Sequence, residues 1–408
     1  MRTVSALVGA LATVGVGLAP GAGAVDAQSS QWYLEPMQAE KMWRTSTGEG
    51  VKVAVIDTGV KPDTPSLKGQ VLADEVPESA SYGATDDYSG HGTSMAELIV
   101  GTGKGGGIQG LAPGAKVIPF RVALEGLKQG PEYDKTTETW DALRAAADSD
   151  AKIISMSFGG MTTEEDDAAV EYAASKGKLL VAALGNDGFT DSPADTPYVI
   201  GVASVDSSIK VAEGSPAGDF ADLAGPGVSI PGWCDATFTS YCNANGSSFA
   251  TALAAASAAL IWSAHPDWTV NQVTRALVDT AGREWPKDDP SKYLGYGFVR
   301  PRIVLDNPDY DAGKPNVDPL AEENGGDLLA KAGEKKGEAT PAPSGSSAST
   351  SSQAPQGGST GGTSAAGSEA ADATSDDGGS LWYILGPAAV VIVAAGVGAA
   401  VLRARRAR

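Results

Sequence analysis

Five largely apolar runs set the terms for this chain: VKVAVI (51–56), KVIPFRV (116–122), KIISMSF (152–158), KLLVAAL (178–184) and YVIGVAS (198–204). A strand with one wet face alternates apolar and polar side chains, whereas a near-continuous run needs cover on both faces. Between the runs lie AELIVG (96–101), TWDALRAAA (139–147) and TEEDDAAVEYAASKG (163–177), with Ala, Leu and Val at helical spacing. Strands alternating with helices predict an α/β domain of three layers with a mainly parallel sheet in the middle. In such sheets chemistry gathers at the carboxyl ends of the strands, and candidate residues are sought there.

The domain is expected over 51–305, a length that one large α/β unit fills, preceded by an N-terminal extension over 28–50. Residues 1–27 read as an export signal. Arg2 precedes the uncharged run 4–18, and Ala22-Gly23-Ala24 forms a cleavage site, with a second candidate cut after Ala27. Over 306–380 hydrophobic periodicity is lost and acidic residues outnumber basic ones 13 to 4, so a disordered tether is expected. The uncharged stretch 381–402 is long enough for a transmembrane helix. Arg403, Arg405, Arg406 and Arg408 lie in the tail 403–408, which places that end in the cytoplasm and the main domain outside.

Charge and cysteine usage exclude several functions. With 50 acidic and 30 basic residues the formal charge is −20, which disfavours nucleic acid as a partner. The two Cys and two His follow no tetrahedral ligand spacing, so no zinc site and no cofactor are expected, and without an EF-hand-like run of Asp calcium binding is not readable from the sequence. GTGKGGG (101–107) lacks the Ser/Thr that follows Lys in a phosphate loop and reads as a surface turn. Cys234 and Cys242, in an exported chain, are expected to form a disulfide bracing the loop before residue 248.

Four polar residues stand beside the expected strand ends and helix starts. Asp57 closes the first run. Taken alone it is as readily a turn-capping carboxylate. His91 lies between Gly90 and Gly92 ahead of a helix, whereas the other histidine, His265, precedes Pro266 at a helix stop. Ser248 opens the Ala-rich segment TALAAASAALIWSA, where unpaired N–H groups and the helix dipole suit either an N-cap or a developing oxyanion; Ser247 could be the cap. Asn186, in VAALGNDG, is a turn residue or an amide donor to that oxyanion. Together they supply a nucleophile, a base to activate it, a carboxylate to hold the base and a donor for the intermediate.

The motifs VAVIDTGV (53–60), GHGT (90–93), ISMSFGG (154–160), AALGNDG (182–188) and GSSFATA (246–252) resemble, in order, those of subtilisin-like serine proteases. The resemblance implies a seven-stranded parallel sheet, Asp57, His91 and Ser248 as catalytic triad, and Asn186 as oxyanion donor. It also implies that Ser157-Phe158-Gly159 pair with an extended substrate, and that Ala182-Ala183-Leu184 wall the primary specificity pocket. Three positions depart from the family pattern: Ser247 replaces Thr, Ala252 replaces Pro, and Glu97 stands where a small residue is customary. With signal, short extension, tether and terminal helix, the whole chain is similar to mycosins, membrane-anchored subtilases associated with type VII secretion in actinobacteria. About 30 residues between the later signal cut and Asp57 leave no room for a folded prodomain. By the same likeness, the extension is expected to pack on the catalytic domain.

These features predict a cell-membrane serine endopeptidase with an extracellular catalytic domain, acting on protein or peptide substrates and supporting a type VII secretion membrane complex. The alternative is a mainly structural component of that complex with proteolysis secondary, and a further one is a general surface protease.

Overall fold

The apolar runs form β1 (Lys52–Asp57), β2 (Lys116–Arg121), β3 (Ile153–Met156), β4 (Leu179–Ala183) and β5 (Val199–Val205), joined by β6 (Leu223–Pro226). The computed structural model describes residues 24–337 except Asp191 and Asp327. Most of the expected signal, the later part of the expected tether, the expected transmembrane helix and the tail lie outside the described residues. The six strands make one parallel sheet in the order β2-β1-β3-β4-β5-β6. The chain leaves β1 for β2 on one side and returns to β3 on the other. This puts the topological switch point, where ligands settle in such sheets, at the end of β1.

The sheet has six strands rather than the seven expected. At the β6 edge, Ala224 N–H donates to Gly297 O and Val299 N–H to Ala224 O, both at 2.9 Å, so a seventh strand is present as one bridge. Gly297 sits at φ 120° and Pro301 has no N–H to offer, which stops the pairing on either side.

The helices of the body are α1 (Ala39–Met42), α2 (His91–Val100), α3 (Thr139–Asp148), α4 (Glu164–Ser175), α5 (Ser247–Ala264) and α6 (Val270–Thr280). One pair, α2 with α5, packs against the sheet, and a second pair, α3 with α4, packs against β1 to β4. Helix α5 is buried almost all round because it passes through the core. Its length and apolarity would also suit a bilayer, but 83% of it is buried inside the domain. A two-stranded antiparallel hairpin, β7 (Ile230–Trp233) with β8 (Tyr241–Ala244), stands just before α5 and is closed by the disulfide Cys234–Cys242.

The N-terminal extension is laid over the body. Trp32 Nε1 donates to Val228 O at 3.0 Å, Trp43 Nε1 to Leu111 O at 2.8 Å and Ser46 Oγ to Leu260 O at 2.7 Å. Tyr33, Met37 and Met42 are buried beneath it. Contact begins earlier still, since Val25 N–H donates to Tyr241 O and Ala27 is buried.

At the other end, the start of the expected tether is folded onto the body. Helices α7 (Arg302–Leu305), α8 (Ala321–Asn324) and α9 (Leu328–Gly337) follow one another, and Ala312, Leu320 and Leu329 are buried. Asn271 in α6 holds this segment, its Nδ2 donating to Pro315 O and Leu329 O, each at 2.8 Å. A few apolar side chains suffice here because the body supplies the rest of the interface. Asn271→Ala is expected to lower stability by about 1–3 kcal/mol, read from urea unfolding, and to open 310–330 to limited proteolysis. An unchanged midpoint and digestion pattern would mean that other contacts hold the segment.

Candidate active site

Asp57 ends β1 with its side chain wholly buried. Its Oδ1 accepts the Thr58 N–H at 2.8 Å and lies 2.7 Å from His91 Nδ1. A carboxylate at Nδ1 fixes the proton on that nitrogen and leaves Nε2 as the basic site. His91 is the first residue of α2 and is 33% exposed. The approach depends on Gly92: a Cβ there would stand 2.2 Å from Gly59 O and 3.0 Å from Asp57 Cβ. No side chain fits.

Sequence reasoning missed the group that holds this corner together. Asp87 is buried, and its Oδ1 accepts the Thr58 hydroxyl at 2.7 Å and the Gly90 N–H at 2.8 Å. Its Oδ2 accepts the Thr93 N–H at 2.8 Å and the Thr93 hydroxyl at 2.6 Å. Asp87 therefore caps the start of α2 from outside the helix and ties it to the residue after Asp57. Its only sequence signal is an acid shortly before a Gly-His-Gly turn, which is no more specific than any loop carboxylate.

Gly246 is the N-cap of α5, and Ser247 and Ser248 are its first residues. Ser247 is not the cap. Its buried hydroxyl instead accepts the Gly185 N–H at 3.1 Å, tying the helix to the turn after β4. Asn186 Oδ1 accepts the Ser247 N–H at 2.8 Å, so the Nδ2 donors are the end left for another acceptor. Ser248 Oγ donates to Ser157 O at 2.9 Å, and Ser157 Oγ returns a bond to Ser248 O at 3.1 Å. Among the described residues no hydrogen bond joins Ser248 to His91.

One open cleft of about 790 Å³ collects these groups: His91, Ser157, Phe158, Gly159, Asn186 and Ser248 all line it. Of the three residues expected to wall the specificity pocket, Ala183 lines this cleft and Ala182 and Leu184 do not. Side chains alternate along β4, so Ala182 turns away from the cleft that Ala183 faces. Ala182 and Leu184 are both fully buried. The cleft rim also carries Glu125 and Asp187, which the sequence reading did not single out. Among the described residues no cluster of three or more His, Cys, Asp or Glu could hold a metal.

Residues 48–297 match the subtilase family, peptidase S8. Subtilisin E of Bacillus subtilis (strain 168) is 37% identical over 287 residues, covering 67% of this chain and 68% of that one. Thermitase of Thermoactinomyces vulgaris is 32% identical over 288 residues, covering 65% and 95%. Among solved structures, the MycP3 protease from the type VII (ESX-3) secretion system superposes with TM-score 0.56 at 28% identity, covering 71% of this chain and 90% of that one. MycP1 from Mycobacterium smegmatis shares the fold with TM-score 0.56 at 24% identity, covering 72% and 88%.

The two histidines are pushed in opposite directions. Burial pulls the His91 pKa down, but the Asp57 charge and hydrogen bond, with Asp87 adding to them, outweigh it and leave the imidazole above its ordinary value. His265 has only burial acting on it and is lowered. With two histidines in the chain, NMR titration resolves both. His91 is expected to titrate above about 6.5 and His265 below it. Asp57→Asn should bring His91 down, and Asp87→Asn should lower it less. A His91 titration that ignores both substitutions would contradict this electrostatic account.

Proposed function

This chain belongs to the subtilase family, and we propose that Ser248 is its nucleophile, His91 its proton shuttle, Asp57 the partner of the imidazole and Asn186 an oxyanion donor. The chain is a serine endopeptidase of the subtilisin type, similar to mycosins. The observation that carries the assignment is the 2.7 Å contact of His91 Nδ1 with buried Asp57 in the cleft that Ser248 also lines.

Ser248 Oγ leaves Ser157 O by rotation about χ1 and offers its proton to His91 Nε2. The oxygen attacks the peptide carbonyl carbon, the proton moves to Nε2, and the carbonyl oxygen becomes an oxyanion facing the Asn186 Nδ2–H and the Ser248 N–H. His91 then gives the proton to the departing amine as the C–N bond breaks. Water, deprotonated in turn by His91, releases the acyl group and restores the serine. The imidazolium formed midway is stabilised by Asp57, which no solvent screens. Ser157 to Gly159 supply the backbone edge along which a substrate strand would lie.

The location and partner are part of the same reading. The stretch 381–402 and the arginines after it would anchor the chain with the catalytic domain outside the cell. Val25 and Ala27 are engaged with the body, which favours signal cleavage after Ala24 over the later site. The similarity to the MycP3 protease of a type VII secretion system supports work beside such a membrane complex. A second reading, a mainly structural member of that complex, is favoured by the Ser248 hydroxyl bonding to Ser157 rather than to His91.

Labelling with a serine-directed phosphonate, followed by peptide mapping, is expected to modify Ser248 alone. Ser248→Ala should fold normally and lose peptidase activity by roughly three or more orders of magnitude. Asn186→Ala should cost about 100- to 1000-fold in kcat. Undiminished cleavage by Ser248→Ala would end the assignment. Secretion intact in Ser248→Ala but lost on deleting the chain would favour the structural role.

A further inference from the structure

Glu97 lies in α2, beyond His91, and its side chain is fully buried. Its Oε1 accepts the Thr64 hydroxyl at 2.7 Å and its Oε2 the Tyr241 hydroxyl at 2.8 Å. Thr64 belongs to the loop that leaves Asp57, and Tyr241 is on β8, next to Cys242 and shortly before α5. One carboxyl group therefore touches the three segments that carry Asp57, His91 and Ser248. The hairpin is stiff, because its disulfide closes it and Trp233 stacks on Tyr241 with ring centroids 4.0 Å apart. A second tie lies nearby: Ser94 Oγ in α2 accepts the Trp233 N–H at 2.8 Å.

A carboxylate buried without a cation is costly, and Glu97 is in no ion pair among the described residues. We propose that Glu97 is a positioning residue for the peptidase reaction: its carboxylate holds the β7–β8 hairpin, and with it the start of α5 and Ser248, at a fixed distance from the helix that presents His91. The inference rests on the triad assignment above.

The ionised form makes the tie. Thr64 Oγ1 already accepts the Leu67 N–H at 3.2 Å, so its own proton is available to Glu97. With the carboxylate charged, both hydroxyls donate to it. Once it is protonated, its proton must reverse one of the two bonds. The groups that bear on it are Thr64, Tyr241, Trp233 and the Ile108 N–H, and of these only Tyr241 titrates. Burial holds the Tyr241 phenol far above its ordinary range, so it stays neutral. Burial also pushes Glu97 up to about 7, so the clamp sets across the neutral range.

That shift carries a stability signature of fixed sign. A carboxyl whose folded pKa lies above its unfolded value stabilises the fold fully only at low pH. Its contribution is lost as pH rises from about 4.5 to about 7. Glu97→Gln abolishes the loss, so Tm at pH 8 should rise.

The test measures the phosphonate labelling rate of Ser248 against pH in the full chain and in Glu97→Gln, Tyr241→Phe and the double variant, together with Tm. Labelling is expected to slow roughly tenfold or more in each single variant and no further in the double variant, while Tm at pH 8 rises in Glu97→Gln. The acid limb should fall from a two-proton to a one-proton dependence in Glu97→Gln. Parent-like labelling in Glu97→Gln, additive losses in the double variant, or a fall in Tm together with rate would each overturn the inference. Failure of the parent itself to label at Ser248 would instead remove the triad assignment, and this inference with it.

Discussion

The contact of the Asp57 carboxylate with the His91 imidazole is the interaction to which the architecture answers. A charge with no access to water is tolerable only if donors and a proton-bearing partner surround it. The fold meets that demand on Oδ1, at the switch point of the sheet where β1 ends and α2 begins, while the buried Oδ2 has no hydrogen-bond partner among the described residues. Gly92 permits the close approach, Thr58 donates to the carboxylate, and Asp87 pins the start of α2 so that the ring cannot drift. Burial and reactivity are one arrangement here: the dry setting that makes the carboxylate expensive also makes its stabilisation of an imidazolium strong.

On the proposed assignment, Ser248 would be governed by a competition for one acceptor. In the resting arrangement the Ser248 proton belongs to Ser157 O. The same carbonyl stands on the edge where an extended substrate would place its own N–H. Under the proposed assignment, a peptide that takes this carbonyl would free the serine proton for His91 Nε2. Binding and activation would then be coupled by hydrogen-bond bookkeeping alone, without movement of the backbone.

Much of this was legible in the residues. Strand positions follow from apolar runs too continuous for a half-wet sheet, and the polar members of the site announce themselves because glycines or turns frame them. The remainder fails for physical reasons. Asp87 acts through donors on Thr58, Ser89, Gly90 and Thr93 that only the folded loop gathers. The facing of Ala183 rather than Ala182 depends on strand phase, which a run of small residues does not reveal. Composition averaged over 306–380 hid the leucines that dock its first part, because their interface is supplied by Asn271 and its neighbours. Glu97 stood out as an anomaly, yet Thr64 and Tyr241 are too distant in sequence to name as its partners.

The Ala-rich helix α5 has a consequence for how such a chain can diverge. Its buried methyl groups let the helix lie close against the sheet, and its first turn carries Ser248. A larger side chain at one of those alanines would press the helix off the sheet and carry the Ser248 oxygen with it. Variation at the exposed Glu125 and Asp187 on the cleft would leave that packing alone, whereas variation in the buried helix would not.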